Sequence, residues 1–319
     1  MRWIWIGCGV VACTGAPVDE TGRVEAPAFS WDAGDAACRS ATVNPNSPAH
    51  RDLQGWTSVD GVYFDAVGTF QRCADVPSLA AGADGVVLAA FQAFVSKDEP
   101  NQWDRIAIRK SLDEGHTWAE PEFITIEGLP DSAGRPFDPT VVYNERSNSW
   151  HLYFSMGWNG EVLDDSVCSY SAQSEDGVLY RWDPYARFCV EGGPVIDPAV
   201  IRTQGEWWYS APRGAPQDGA YFAVSDDGLQ FTKRPLIPSD RHHNWTGNFV
   251  ASETGVRFYG AEGNYPEDNR LWFAESADGG LTWSDYVRTD VPAGKDPGIT
   301  RLTNGLWLML VPMPGEETE

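Results

Sequence analysis

Basic residues are scarce in this 319-residue chain: 23 Lys and Arg stand against 46 Asp and Glu, a formal net charge of −23. That deficit excludes the cationic footprint a nucleic-acid binder needs, and it argues against docking on an anionic membrane through the protein surface. An acidic surface serves solubility and suits neutral or cationic partners. No long segment repeats apolar residues at spacings of three and four, so few helices are expected. There is no CxxC, no Cys/His cluster and no EF-hand-type loop, which leaves metal binding through sulfur and imidazole as the weaker reading of the cysteines. Ca²⁺ held by carboxylates is the one cofactor kept open; otherwise none is expected. What the chain does have is 32 Gly, 22 Pro, 15 Trp and 11 Tyr. This is the composition of many short strands joined by turns, with large rings to pack between them or to stack on sugars.

The first residues, Met1 to Cys13, place one Arg before a short apolar run, as in an export signal. The run is too short to span a bilayer. Val10-Val11-Ala12-Cys13 has the form of a lipobox, in which Cys13 would be lipidated; ordinary signal cleavage is the rival reading. Residues 14–51 show no periodicity and read as a flexible tether, and 52–319 as the folded domain. Secretion or lipid anchoring at a bacterial envelope follows, with membrane contact only through that anchor, and a monomer is expected. Four cysteines remain, an even count that suggests disulfides in an exported chain. Cys168 and Cys189 flank one expected hairpin and could bridge it; Cys38 and Cys73 would then clip the tether to the first repeat.

The repeat is the strongest signal. Ser58-Val59-Asp60-Gly61, Ser111-Leu112-Asp113-Glu114-Gly115-His116-Thr117-Trp118, Ser174-Glu175-Asp176-Gly177, Ser225-Asp226-Asp227-Gly228 and Ser276-Ala277-Asp278-Gly279-Gly280-Leu281-Thr282-Trp283 recur at intervals of 53, 63, 51 and 51 residues. Asp can cap backbone N–H groups inside a turn and Gly can take the positive-φ position, so these five Asp are read as structural. A second motif interleaves: Val76-Pro77, Asp138-Pro139, Asp197-Pro198 and Asp296-Pro297 each open an apolar strand, and Asn248-Phe249-Val250 takes that place in the fourth unit. From this opening to the turn Asp is 37, 38, 30 and 30 residues in the first four units. Each unit therefore reads as a four-stranded sheet. The fifth is split, with Asp296 to Val311 at one end of the chain and the Ser58 turn at the other. An all-β, five-bladed β-propeller closed by its N-terminal segment is predicted.

The Ser-x-Asp-x-Gly-x-Thr-Trp turns resemble the Asp boxes (BNR repeats) of sialidase-like propellers. The blade pattern over about residues 52–312, and Val195-Ile196-Asp197-Pro198-Ala199-Val200 followed by Trp207-Trp208-Tyr209 in particular, resembles five-bladed glycoside hydrolases of the arabinanase and β-xylosidase type. The resemblance implies that Asp138, Asp197 and Asp296 point into a central funnel as catalytic carboxylates. It implies a base in the first blade, where Val76 stands with Asp75 one residue early, and a Glu acid in a later strand opening, where Asn248 stands. Glu191, Glu262 and His243 are the candidate substitutes for the acid. Loop residues expected on the same face, for substrate binding, are Arg72, Arg135, Trp158, Arg213, His243 and Trp245. Arg135 would grip a substrate carboxylate or pair with Asp138; Trp158 and Trp245 would be sugar platforms or loop anchors. A glycoside hydrolase acting on a glycan or oligosaccharide is the implied function, with a non-catalytic surface propeller that binds glycan or protein as the alternative.

Overall fold

The computed structural model describes residues 29–32, 47–95, 102–158, 165–214, 218–263 and 270–315. The expected lipobox and Cys38 lie outside them. The described residues form strands and turns with two three-residue 3-10 helices and no α-helix, arranged as five sheets around an axis.

The first blade runs β3 (Ala74–Ala81), β4 (Val87–Phe94), β5 (Trp103–Ser111) and β6 (Glu122–Phe123) from the axis outward. The second holds β8 (Phe137–Asn144), β9 (Ser149–Met156), β10 (Cys168–Ser174) and β11 (Leu179–Phe188), with a fifth strand, β7 (Thr125–Glu127), parallel to β11 on its outer edge. The third is β12 (Ala199–Thr203), β13 (Glu206–Pro212), β14 (Ala220–Ser225) and β15 (Thr232–Lys233). The fourth is β16 (His243–Ala251), β17 (Val256–Glu262), β18 (Leu271–Ser276) and β19 (Val287–Arg288).

The fifth blade takes β20 (Gly298–Arg301) and β21 (Trp307–Pro314) from one end of the chain and β1 (Arg51–Ser58) and β2 (Asp65–Gln71) from the other. β1 pairs antiparallel with β21 without a break, from Arg51 opposite Pro314 to Ser58 opposite Trp307. The split repeat is thus joined, and an open sheet edge is removed.

The second strand of each blade is packed on both faces by neighbouring blades. This is why β4 and β9 are buried at every position, polar residues such as Gln92, His151 and Ser155 included. Leu88, Ile106 and Ile108 of the first blade meet Trp150, Leu152 and Phe154 of the second. Within the stretch read as tether, Trp31 lies across Gly55, where a Cβ would fall 1.8 Å from its ring. Its Nε1 donates to the Gly115 carbonyl at 3.0 Å. Cys168 and Cys189 form a disulfide; Cys73 is also disulfide-bonded.

All five Ser-x-Asp turns form as the sequence suggests. Each Ser hydroxyl donates to the Asp two residues on, at 2.8–3.0 Å, and accepts the N–H of the turn Gly at 2.8–2.9 Å. They lie where the third strand of each blade ends, at the opposite face from the Asp-Pro openings.

Candidate active site

The strand openings converge. Val76-Pro77, Asp138-Pro139, Asp197-Pro198, Gly247-Asn248 and Asp296 line one axial cavity of about 10 Å³, room for about one water. Strand register, counted from the turn serines, makes Val76, Asp138, Asp197, Thr246 and Asp296 equivalent. The fourth-blade counterpart of the aspartates is therefore Thr246. Asn248 sits two residues further along, level with Ser78 and Thr140. It is buried there, and its amide spans to the Pro77 and Pro297 carbonyls at 3.4 Å each.

The backbone explains how these side chains are aimed. Val76, Asp138, Asp197 and Asp296 all have positive φ, from 42° to 51°. A following proline disfavours the right-handed helical region. Register shifts between Asp75 and Ser78 and between Phe137 and Thr140 supply the extra residue that turns the chain. Left-handed backbone costs a non-glycine residue about 1–3 kcal/mol, and a β-branched Val is among the least tolerant. The strain recurs in four blades at the residues that face the axis, and Val76 keeps it without a carboxylate to present.

Asp75, 0% exposed, belongs to the same cluster from the adjoining position. Its Oδ2 is ion-paired with Arg51 of β1 and lies 3.4 Å from Lys295 Nζ. Lys295 also reaches Asp296 Oδ2 at 3.0 Å. On the far side, Asp138 Oδ2 accepts the Asp197 N–H at 3.2 Å.

These contacts split the carboxylates electrostatically. Burial pushes Asp138 up to about 7, with the Asp296 charge adding to it. Burial, then the Asp138 and Asp296 charges, hold Asp197 well above the usual range. Burial also pushes Asp75 up, against Lys295 and Arg51. Asp296 goes the other way: burial works against its charge, but Lys295 and a hydrogen bond from Thr246 outweigh it and hold its carboxyl below the usual value. Lys295 in turn is raised, because Asp296 and Asp75 overcome the burial that would strip its proton.

Several expected residues lie elsewhere. Glu191 is exposed in the turn before Val195 and takes no part in lining the cavity. Glu262, at the end of β17, pairs with Arg288 of the outermost strand at 2.6 Å and with His243 Nε2 at 3.5 Å. His243 also contacts Asp240 at 2.8 Å and stacks on Tyr286. Arg135 does not pair with Asp138; it is held by Asp104 at 2.6 Å, and Asp104 takes the Gln92 amide, whose oxygen faces the Asp138 N–H at 3.4 Å. Trp245 is 1% exposed and packs against Phe258, Trp272 and Trp283, so it is core and no platform. Trp158 is an anchor, its Nε1 donating to the Tyr170 hydroxyl at 2.7 Å. Arg213 is exposed in the loop after β13, and Arg72 is half-buried just before Cys73.

Lys295, Arg51 and Thr246 were not anticipated. Lys295 had a visible signal, since it directly precedes Asp296-Pro297. Arg51 had none, because its partner lies on another blade. Among the described residues no group of three His, Cys, Asp or Glu side chains is arranged to hold a metal.

No family model matches the chain, and none of the curated proteins matches it in sequence. Solved structures do resemble it. A glycosyl hydrolase from Bacteroides ovatus superposes with a TM-score of 0.54 at 11% identity, over 76% of this chain and 86% of that one. An α-L-arabinofuranosidase from Clostridium thermocellum gives 0.55 at 14%, over 72% and 80%. An exo-β-1,3-galactanase from Clostridium thermocellum gives 0.57 at 11%, over 81% of this chain but 62% of that one. At such identities the likeness speaks to the fold.

Proposed function

We propose that the protein is an extracytoplasmic glycoside hydrolase whose acid and base are drawn from the axial carboxylates. One observation carries this reading: aspartates from three blades converge on one cavity with their charges driven apart. Cleaving a glycosidic bond needs one carboxyl that is protonated, to supply the leaving oxygen, and one that is ionised, to attack or to activate water. Desolvation raises Asp138 to about 7 and Asp197 well above its usual range, so the proton is held on their side, while Asp296 is lowered beside Lys295. Groups pushed apart in this way by their surroundings are candidates for acid and base. The Cys168–Cys189 disulfide fits an oxidising compartment, and the apolar run before Cys13 fits export. The fold shared with glycosidases and the Ser-x-Asp turns of Asp-box type support a carbohydrate ligand.

The substrate is a neutral glycan. Arg51 and Lys295 are engaged by aspartates and Arg135 by Asp104. Among the described residues no arginine lines the axial cavity, so none is placed there to grip the carboxylate of a sialic or uronic acid. Purified full-length protein on a panel of neutral arabinan, xylan and galactan oligosaccharides tests the reading. Sugar release that is lost in Asp197→Asn supports it; release of sialic acid in preference to neutral sugars refutes the substrate class.

A second reading, a propeller that binds glycan without cleaving it, is favoured by the narrowness of the axial cavity and by Val76 at the first-blade position. Glycan binding with no turnover by the wild-type protein would select it.

A further inference from the structure

We propose that Lys295 is the positioning residue that fixes Asp296 as the ionised carboxylate of the axial site, so that the fifth blade and not the first supplies the base. The assignment deepens the hydrolase reading and rests on it.

The first blade has nothing to offer in that role. Val76 occupies its axial position, and Asp75 is wholly buried with one oxygen shared by Arg51 and Lys295. Asp75 is a counter-ion. Asp296 meets the requirements that Asp75 fails. It shares the left-handed backbone that aims Asp138 and Asp197, it lines the cavity, and its side chain is 13% exposed. Lys295 is its neighbour in the chain, so the backbone already brings the ammonium close to the carboxylate. The 3.0 Å contact to Asp296 and the 3.4 Å contact to Asp75 hold that ammonium in one orientation.

The groups facing Asp296 are Lys295 beside it, Arg51 from β1, Asp75 from the first blade, Asp138 from the second, Asp197 from the third and Thr246 from the fourth. The two cations lie on the side of Asp75 and Asp296. Among the described residues neither Asp138 nor Asp197 makes an ion pair. Charge therefore gathers on the fifth- and first-blade side, and the held protons on the second- and third-blade side. The attacking water would sit against Asp296, with the anomeric carbon of a sugar entering the funnel between it and the Asp138–Asp197 pair. The water's proton passes to Asp296 as its oxygen bonds to the anomeric carbon. The glycosidic C–O bond breaks, and the leaving oxygen takes the proton held by the Asp138–Asp197 pair. One water is consumed and two hydroxyl-bearing products form.

The test follows the titration of Asp296 directly, by ¹³C-carboxyl NMR of aspartate-labelled full-length protein, in wild type, K295M, K295R and D75N, with the resonance assigned by D296N. K295M should raise the Asp296 midpoint by a pH unit or more and K295R should restore most of it. D75N, which leaves Lys295 to Asp296 alone, should lower it. In any variant set with turnover, the acidic limb of kcat/KM should move by the same amount as the NMR midpoint. An Asp296 midpoint unmoved in K295M, or raised in D75N, overturns the proposal; the D75N arm serves if K295M fails to fold. If the midpoints move as stated but wild type cleaves no glycan, the charge assignment stands and the hydrolase reading falls.

Discussion

The molecule carries two rings of aspartate, built on the same fivefold period and opposite in character. At the rim, Asp60, Asp113, Asp176, Asp227 and Asp278 each sit in an exposed turn. What little burial they suffer is outweighed by hydrogen bonds from backbone N–H groups and a serine hydroxyl, so every one is held below its usual range. At the axis, Asp138 and Asp197 are set on left-handed backbone and desolvated, and for Asp138 burial outweighs the hydrogen bonds it accepts from the Asp197 N–H and Ser155. A carboxylate given donors locks a turn. A carboxylate whose burial outweighs its donors is raised instead, the pattern expected of a candidate site of chemistry. Asp296 is the exception within its own ring, because Lys295 gives it what its neighbours lack.

Exchanging the two rings by mutation gives the largest contrast. Asp197→Asn and Asp138→Asn should each lower kcat/KM on a cleaved glycan by about 10²–10⁴-fold, the range general acid–base groups supply. Asp113→Asn, on the other ring, should leave it within about twofold. Steady-state kinetics on the three variants checks this, and equal losses at rim and axis would dissolve the distinction.

The next effect is on stability against pH. Asp138 has its carboxyl raised from 3.8 to about 7 on folding, so the folded state binds the extra proton. That contribution is full below pH ~4 and is lost as pH rises through about 7. Each pKa unit is worth about 1.4 kcal/mol, so the loss approaches roughly 4 kcal/mol. The thermal midpoint should fall between pH 4 and pH 8, and Asp138→Asn should flatten that slope. Self-repulsion from a net charge of −23 acts in the same direction, as do the raised carboxyls of Asp197 and Asp75, so the slope that survives in Asp138→Asn measures those contributions together and its decrease measures Asp138.

The rim ring was legible in the sequence and the axial ring only in part, for a physical reason. A turn is local: Ser111, Asp113, Gly115 and Thr117 meet within a few residues, so their spacing announces the geometry. The blade count and the closure by β1 followed from that spacing. The axial cluster is assembled from residues such as Arg51 and Asp75, which meet only because the ring closes. Asp138, Asp197 and Asp296 were found because the Asp-Pro opening is itself a local motif. Thr246 was missed because its blade carries Thr246-Gly247 where the others carry Asp-Pro or Val-Pro. Glu191 was chosen for standing just before Pro194 and Asp197, and Glu262, Arg135, Trp158 and Trp245 were placed by loop topology. Topology says which end of a blade a residue occupies and not which neighbour takes it: Arg288 and Asp104 claimed Glu262 and Arg135, and the hydrophobic core claimed Trp245.

The smallest effect separates turns within the rim. In the Asp113 and Asp278 turns a threonine hydroxyl adds a bond to the second carboxylate oxygen, at 2.7 and 2.6 Å. In the Asp60, Asp176 and Asp227 turns the backbone donors fall on one oxygen, from residues two and three further on. Hydrogen bonds to charged groups are worth more than neutral ones, but exposure discounts them here, so Asp113→Ala should cost about 1 kcal/mol and Asp60→Ala less. These carboxyls are lowered on folding, so their contribution is present above pH ~4 and lost as pH falls through their folded values. The rim thus loses stability on the acid side and the axis on the neutral side. Denaturant titrations of wild type and Asp113→Ala at pH 3, 5 and 8 should show a maximum near pH 5, with the variant's deficit smallest at pH 3. A deficit that grew toward pH 3 would mean that the turn aspartates are not stabilising through their charge, and the contrast between the rings would lose its electrostatic basis.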